Sequence, residues 1–316
     1  MRITEIACEE LDLADERFRI SEELDPPLLE ESLRRVGQIV PIVLWRDRSG
    51  RTIVGAGLRR ARALSRLGAR RVWARLLDAA EVPEADVFRL ALWDNLAHRE
   101  LGVLECARAL AALRGLCGVA DDVLVDEYLP ALGLEAHKNV LRTHLALAEA
   151  GPVVARLVRD GAVTAATAAR LVGLPERSRG VAADMFERVR ASASTQRELL
   201  DHIEELGEAA RLRDVAGVPE ILDDANTSPG ERAERLRALL RRVRYPRLAG
   251  AEARFAEERS RLELPRAVRV SHAPYFETAG VKVEFEAATP DAFRRAAEAL
   301  ERAAADPRLH RLFEAS

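Results

Sequence analysis

The chain has 316 residues, 48% of them hydrophobic and 32% charged, with a formal net charge of −3. That length is a prior for two or three domains, and the composition fits a globular protein with at least one sizeable core. A net charge so near zero excludes a polyanion binder that works through bulk charge, so any nucleic-acid role needs a local basic face.

Residues 3–11 alternate imperfectly between apolar and polar and predict a strand. Asp25 and Pro26 read as the N-cap and first position of a helix that runs to about Val36 and stops at Gly37. Ile39–Trp45 and Thr52–Val54 predict two strands around the turn at 47–50. The latter runs into Gly55 and Gly57, and a helix opens with Arg59, Arg60 and Arg62 in its first turns. Such a junction suits a polyphosphate. Glycine admits close backbone approach, a helix N-terminus offers free N–H groups, and arginine forks match phosphate oxygens. Val72–Leu77 predicts a third strand. Strands and helices alternate to about residue 100, as in a small α/β domain.

From Val82 to Leu206 helical periodicity returns at 84–98, 103–116, 121–132, 136–149, 152–160, 164–172, 179–190 and 195–206, with no strand between. Residues 207–227 are mixed. Ser228-Pro229-Gly230-Glu231 is a capping-box pattern that opens a basic helix to about Arg244, and a charged helix follows over 248–262. Ala267–His272 and Val281–Glu286 alternate with period two and predict a hairpin, after which Thr289 caps a helix to about Ala304. This β-β-α end is too small to bury a core alone and predicts pairing with a second copy. The expectation is an α+β multidomain chain: an α/β domain over 1–100, an all-helical domain over 101–206, a helical linker region over 207–262 and a β-β-α unit over 263–316. The cysteines Cys8, Cys106 and Cys117 lack zinc spacing and are odd in number, which suits a reducing compartment. Neither a signal-peptide pattern nor a run of about 18 apolar residues occurs, so a cytoplasmic chain with no membrane partner is expected.

In its succession of motifs the chain resembles the ParB family of bacterial chromosome and plasmid partition proteins, whose N-terminal nucleotide-binding domain shares its fold with sulfiredoxin. Gly37-Gln38-Ile39-Val40-Pro41 keeps the glycine and proline of the family's first motif. Val40 stands at its glutamine, and Gln38 lies two positions away. Gly57-Leu58-Arg59-Arg60 matches Gly-Glu-Arg-Arg with Leu58 for glutamate. Asp94-Asn95-Leu96-Ala97-His98-Arg99 matches the third motif with one extra residue, and Leu101 and Glu105 follow as in the family. Gly133–Val140 falls where the family has its helix-turn-helix turn and recognition helix.

The resemblance implies CTP with Mg²⁺ as cofactors. Gly37, Gln38, Gly55, Gly57, Arg59, Arg60, Asn95, His98 and Arg99 would surround the nucleotide, and Asp94 and Asn95 would hold the metal by oxygen. Leu58 and Val40 cannot orient water, which strikes hydrolysis harder than binding. His137, Lys138, Asn139, Arg142 and Thr143, with His144, would face double-stranded DNA, and Arg156, Arg159 and Arg170 would touch its backbone. His137 and His144 have no third ligand nearby, so no zinc site is expected. The terminal hairpin mixes Arg266, Arg269 and Lys282 with Glu277, Glu284 and Glu286 and is not the lysine-rich surface some family members use. Its role is a homodimer contact, with Val268, Val270, Val281, Val283, Phe285 and Phe293 as core or interface. A nucleoid-associated protein is implied, with a partition ATPase as a further partner. The rival reading is an enzyme of the same N-terminal fold, a phosphotransferase or NTPase acting on a small molecule, with Glu30, Glu31 or Asp94 as base. A third is a regulatory protein that binds neither ligand well.

Overall fold

The computed structural model describes residues 3–205, 214–262, 264–265, 267–273, 280–307 and 309–314. It divides into two compact units, 1–196 and 197–316.

The first unit begins with a five-stranded sheet of order β1-β5-β3-β4-β2, made of β1 (Ile3–Ala7), β2 (Leu11–Asp12), β3 (Ile42–Arg46), β4 (Thr52–Ala56) and β5 (Arg71–Asp78). The strand expected over 3–11 is broken by a tight turn at Cys8–Glu10, so β1 pairs antiparallel with β5 while β2 crosses to run parallel to β4. β3 starts at Ile42 rather than Ile39, one residue after Pro41, which has no N–H for a ladder. Helix α1 (Pro27–Val36) is capped at Pro26, not Asp25, and no side chain caps it. Asp25 instead pairs with Arg66 of α2 (Leu58–Arg66). One side of the sheet packs on α1 and α2 through Ile42, Leu44, Val54, Ala61 and Leu64.

The other side carries the larger core. Trp45, Ile53 and Leu77 of the sheet meet Val87, Phe88 and Leu92 of α3 (Glu84–Leu96) and Leu110 and Leu113 of α4 (Val103–Gly115). Phe18 stands edge-on to Trp45 at 5.7 Å, and Trp45 Nε1 donates to the Val82 carbonyl at 3.0 Å. Burying each such side chain contributes about 1.5–3 kcal/mol, so this core is the main tie between sheet and helices.

The helix expected over 121–132 is not regular. α5 (Asp121–Val123) and α6 (Leu129–Ala131) are joined by a wider turn at Leu124–Tyr128, where the Leu129 N–H reaches back to the Leu124 carbonyl. Leu124 and Leu129 remain buried, so the widening keeps both on the core face. α7 (Lys138–Ala148) enters the same core by Leu141. α8 (Pro152–Arg159), α9 (Ala165–Gly173) and α10 (Glu176–Arg188) follow, and α11 (Ala193–Glu205) leads into the second unit.

In the second unit the region read as mixed holds α12 (Val218–Leu222). α13 (Pro229–Arg244) opens on the expected capping box, with the Ser228 N–H donating to Glu231 Oε2 at 3.0 Å. α14 (Pro246–Arg261) precedes the hairpin of β6 (Val268–His272) and β7 (Val281–Phe285), and α15 (Pro290–Ala304) follows, capped by Thr289. The hairpin and α15 are not left to bury a core alone. Phe255 of α14, Leu262 just beyond its end, and Leu312 of a further helix, α16 (Leu309–Glu314), close over Val268, Val270 and Ala296. Arg266 and Glu277 lie outside the described residues. Among those described, no helix is long and apolar enough to cross a membrane.

Candidate functional site

β4 delivers its chain to the sheet edge at Ala56, and Gly57 turns it into α2. Gly57 has φ of +90°, a left-handed conformation that favours glycine, and no side chain caps the helix it precedes. Gly57 and the first residues of α2, Leu58, Arg59 and Arg60, line a cleft of about 340 Å³, and no side chain caps their N–H groups. α3 lines it with Ala91, Asp94 and Asn95; His98 and Arg99 follow just beyond the helix end, and Val40, Leu29 and Phe18, Arg19, Ile20, Ser21 and Leu24 add to the wall. The fold thus brings Gly55, Gly57, Arg59, Arg60, Asp94, Asn95, His98 and Arg99 around one space.

Their occupations differ. Among the described residues Arg59 makes no hydrogen bond or ion pair, so it is a cation without a counter-ion. Arg60 folds back over Gly57, and its Nη1 donates to the Val40 carbonyl at 3.0 Å and the Pro41 carbonyl at 3.4 Å. A Cβ at Gly57 would stand 3.2 Å from Arg60 Nη2. Burial pushes the Arg60 guanidinium below its usual value, and nearby Asp94 pulls it back up. Gly55 is required by packing, since a Cβ there would lie 2.7 Å from Val87 Cγ1, and α3 sits on its bare backbone.

Asn95 is spent on its neighbours. Its Nδ2 donates to the Ala91 carbonyl at 2.9 Å and its Oδ1 accepts from Arg99 Nε at 3.1 Å. Arg99 also donates to Glu105 Oε2 at 2.6 Å and Ser21 Oγ at 3.1 Å. Burial opposes the charge on Glu105, but Arg99 and the N–H groups of Gly102 and Glu22 hold its carboxyl below the usual range. His98 Nδ1 lies 2.7 Å from the Asp94 carbonyl, and the Asp94 carboxylate stands half exposed at the cleft. Gly37 ends α1, its N–H on the Leu33 carbonyl at 3.0 Å. Gln38 braces the sheet: its Oε1 accepts from the Trp73 N–H at 2.8 Å and its Nε2 donates to the Trp73 carbonyl at 2.7 Å. Neither Gly37 nor Gln38 lines the cleft.

Among the described residues there is no cluster of three His, Cys, Asp or Glu side chains able to hold a metal. With the Asn95 amide engaged, Asp94 is the carboxylate that lines the cleft, which fits Mg²⁺ only in its usual partnership with substrate phosphates. The alternative bases lie elsewhere. Glu30 pairs with Arg34 and Arg66, and Glu31 with Arg34 and Arg35, and neither lines the cleft. The segment 18–24 carries no motif, and the sequence reading missed it. Its Arg19 and Ser21 line the cleft all the same, and their only local sign is the polar-apolar alternation of Phe18-Arg19-Ile20-Ser21.

At the second candidate site, α7 begins with His137, whose Nδ1 accepts the Asn139 N–H at 3.1 Å. His137, Lys138, Asn139 and Arg142 are exposed and Thr143 is half-buried. Arg142 Nη2 donates to Asn139 Oδ1 at 2.8 Å. His144 turns inward, is buried, and its Nδ1 lies 2.8 Å from the Val140 carbonyl, so it belongs to the core. Of the arginines expected to touch a DNA backbone, Arg156 pairs with Glu187 and Arg159 with Glu22, while Arg170 lies on α9.

No protein-family model matches the chain, and no curated protein does. Solved structures do. The C-terminally truncated chromosome-partitioning protein ParB of Caulobacter crescentus complexed with CTP-gamma-S is 19% identical over 59% of this chain and 99% of its own, with a TM-score of 0.24. The same protein complexed to the centromeric parS site is 19% identical over 58% of this chain and 91% of its own, with a TM-score of 0.34. A Pnob8-like ParB-N domain is 15% identical over 70% of this chain and 87% of its own, with a TM-score of 0.32. In the succession of its motifs the chain resembles the ParB family, and these solved structures that it matches are of ParB proteins.

Proposed function

We propose that the chain is a ParB-like, DNA-binding protein that takes a nucleoside triphosphate, CTP first, in the cleft between α2 and α3. The observation that carries this reading is the convergence of Gly57, Arg59, Arg60, Asp94 and Arg99, drawn from separate elements, on one cleft beside an uncapped helix N-terminus. Arg59 and the free N–H groups of α2 supply anion contacts, and Arg60 supplies another if it leaves the Val40 and Pro41 carbonyls. Asp94 would hold Mg²⁺ against the phosphates, and the metal would neutralise their charge. Leu58, which lines the cleft where a carboxylate would orient water, leaves in-line attack unsupported, so slow or absent hydrolysis is part of the proposal.

α5, α6 and α7 form the proposed helix-turn-helix, with Lys138, Asn139 and Arg142 presented to a DNA groove. The hairpin and α15 form the proposed homodimer contact. A partition or regulatory role, with or without a partner ATPase, follows from the same resemblance. Titration calorimetry of the full chain against CTP, ATP, GTP and UTP with Mg²⁺, beside a phosphate-release assay, tests the nucleotide half. CTP is expected to bind with little phosphate released. Arg60→Ala is expected to lose about 2–3 kcal/mol of binding, as for a hydrogen bond to a charged group. Absence of binding to all four nucleotides would overturn the reading.

A further inference from the structure

Between α4, α7 and α8 lies a second cleft of about 340 Å³, lined by Glu22, Leu104, Arg108, Leu147, Arg156 and Arg159 among others. Three guanidinium groups on one opening are an anion site by charge, yet a carboxylate of the same chain lies among them. Glu22 Oε1 accepts from Arg159 Nη2 at 2.9 Å, and Glu22 Oε2 accepts from Arg108 Nη2 at 3.1 Å. The two arginines thus hold one oxygen each of a single planar anion, the arrangement that guanidinium groups also offer to two oxygens of a phosphate.

The two arginines are held unequally. Arg108 is anchored from behind, its Nη1 donating to the carbonyls of Ile20 and Ser21 at 3.1 Å each, so its direction does not depend on the Glu22 carboxylate. Among the described residues Arg159 has no partner but Glu22, and its side chain is 54% exposed. Arg156 stands on the same cleft, paired with Glu187 of α10. Ion pairs with an exposed partner, as Arg159 is at 54%, contribute little to stability. An incoming phosphate diester would therefore meet one arginine anchored by backbone, one arginine whose sole partner among the described residues is Glu22, and the Glu22 carboxylate between them.

We propose that Glu22 is an intramolecular counter-ion that occupies a phosphate subsite of this chain, and that the subsite's external ligand is the backbone of duplex DNA. The proposal rests on the DNA-binding half of the reading above and adds to it a built-in competitor that lowers affinity. Its position gives the competitor a lever. The Glu22 N–H donates to Glu105 Oε1 at 2.9 Å, and the Glu22 carbonyl accepts from Arg19 Nη2 at 2.8 Å, so the residue sits in the loop that walls the first cleft.

The test is binding of a random-sequence duplex to the full chain over a salt series, for wild type, Glu22→Gln and Glu22→Gln with Arg159→Ala. Glutamine keeps the shape and can still accept hydrogen bonds but carries no charge. Glu22→Gln is expected to tighten binding about tenfold at low salt and to steepen the log–log salt slope by about one to two, for one or two added phosphate contacts. Adding Arg159→Ala should reverse much of that gain. If Glu22 only staples the loop, Glu22→Gln would lower the melting temperature and leave the slope unchanged or weaken binding, and the proposal fails. Tighter binding by Glu22→Gln where wild type binds no duplex supports it. No binding by any form overturns both the proposal and the DNA reading, whereas wild-type binding with an unaltered slope in Glu22→Gln overturns the proposal alone.

Discussion

Glu105 shows how one side chain can hold a site without lining it. It is 9% exposed and accepts hydrogen bonds from Arg99, the Gly102 N–H and the Glu22 N–H, so it orients an arginine of the cleft and caps α4 at once. Its carboxyl titrates below the usual 4.5. A depressed folded value means stabilisation that is present above the unfolded pKa and is lost as pH falls through the folded one. Glu105→Gln is expected to destabilise the chain by about 2 kcal/mol at pH 7, the scale of charged hydrogen bonds. The gap between wild type and variant in thermal melts should close as pH drops below about 4. An equal gap at pH 7 and at low pH would show that packing, not charge, is what Glu105 contributes.

Helix α7 illustrates the division of labour along one element. Leu141, His144 and Leu147 are buried on one face, while Lys138, Asn139 and Arg142 stand on the other. His137 satisfies an N-terminal N–H that would otherwise be free, which sets the start of the helix and the direction of the exposed face. Arg142 and Asn139 hold each other at 2.8 Å, so reading a base edge requires one to release the other. If α7 enters the major groove, the double variant Asn139→Ala with Arg142→Ala loses sequence preference but keeps salt-sensitive binding. Selection from random duplexes measures both. A wild-type protein that selects no motif would remove α7 from the recognition role.

In the whole chain the core does not stop where the strands do. One hydrophobic cluster runs from Phe18 and Trp45 through Phe88 and Leu110 to Leu141, so one face of the sheet shares an interior with α3, α4, α6 and α7. In the second unit Val268 and Val270 are buried, whereas Val283 and Phe293 are 46% and 58% exposed. Phe285 and Phe293 rings lie 5.4 Å apart, which carries the apolar surface outward from that core. For a homodimer through this unit, Val283→Glu with Phe293→Glu should convert dimer to monomer in light scattering while circular dichroism stays unchanged, because both side chains face outward. A monomeric wild type, or an unchanged dimeric mass in the variant, would place any self-association elsewhere.

The elements were largely legible because they follow from local physics. The hydrophobic period marked α3, α4 and the hairpin, and the capping box at Ser228 marked the start of α13. Boundaries slipped where local signals compete: Asp25 precedes two prolines, and the cap falls at Pro26. Single residues were less legible. Gln38 and Asn95 are polar residues in motif-like positions, yet their hydrogen bonds go to Trp73, Ala91 and Arg99. Gly55 serves helix–strand packing against Val87. The sequence by itself determined the periodicities, the caps at Ser228 and Thr289 and the Gly57-Leu58-Arg59-Arg60 junction, since each depends on neighbours within a turn or two. Only the tertiary structure decided that Phe18, Arg19, Ile20, Ser21 and Leu24 wall the cleft, that Glu105 accepts the Glu22 N–H and that Glu22 lies between Arg108 and Arg159. Those partners are brought together by chain crossings, and a hydrogen bond over 80 or more residues leaves no periodic trace in the sequence.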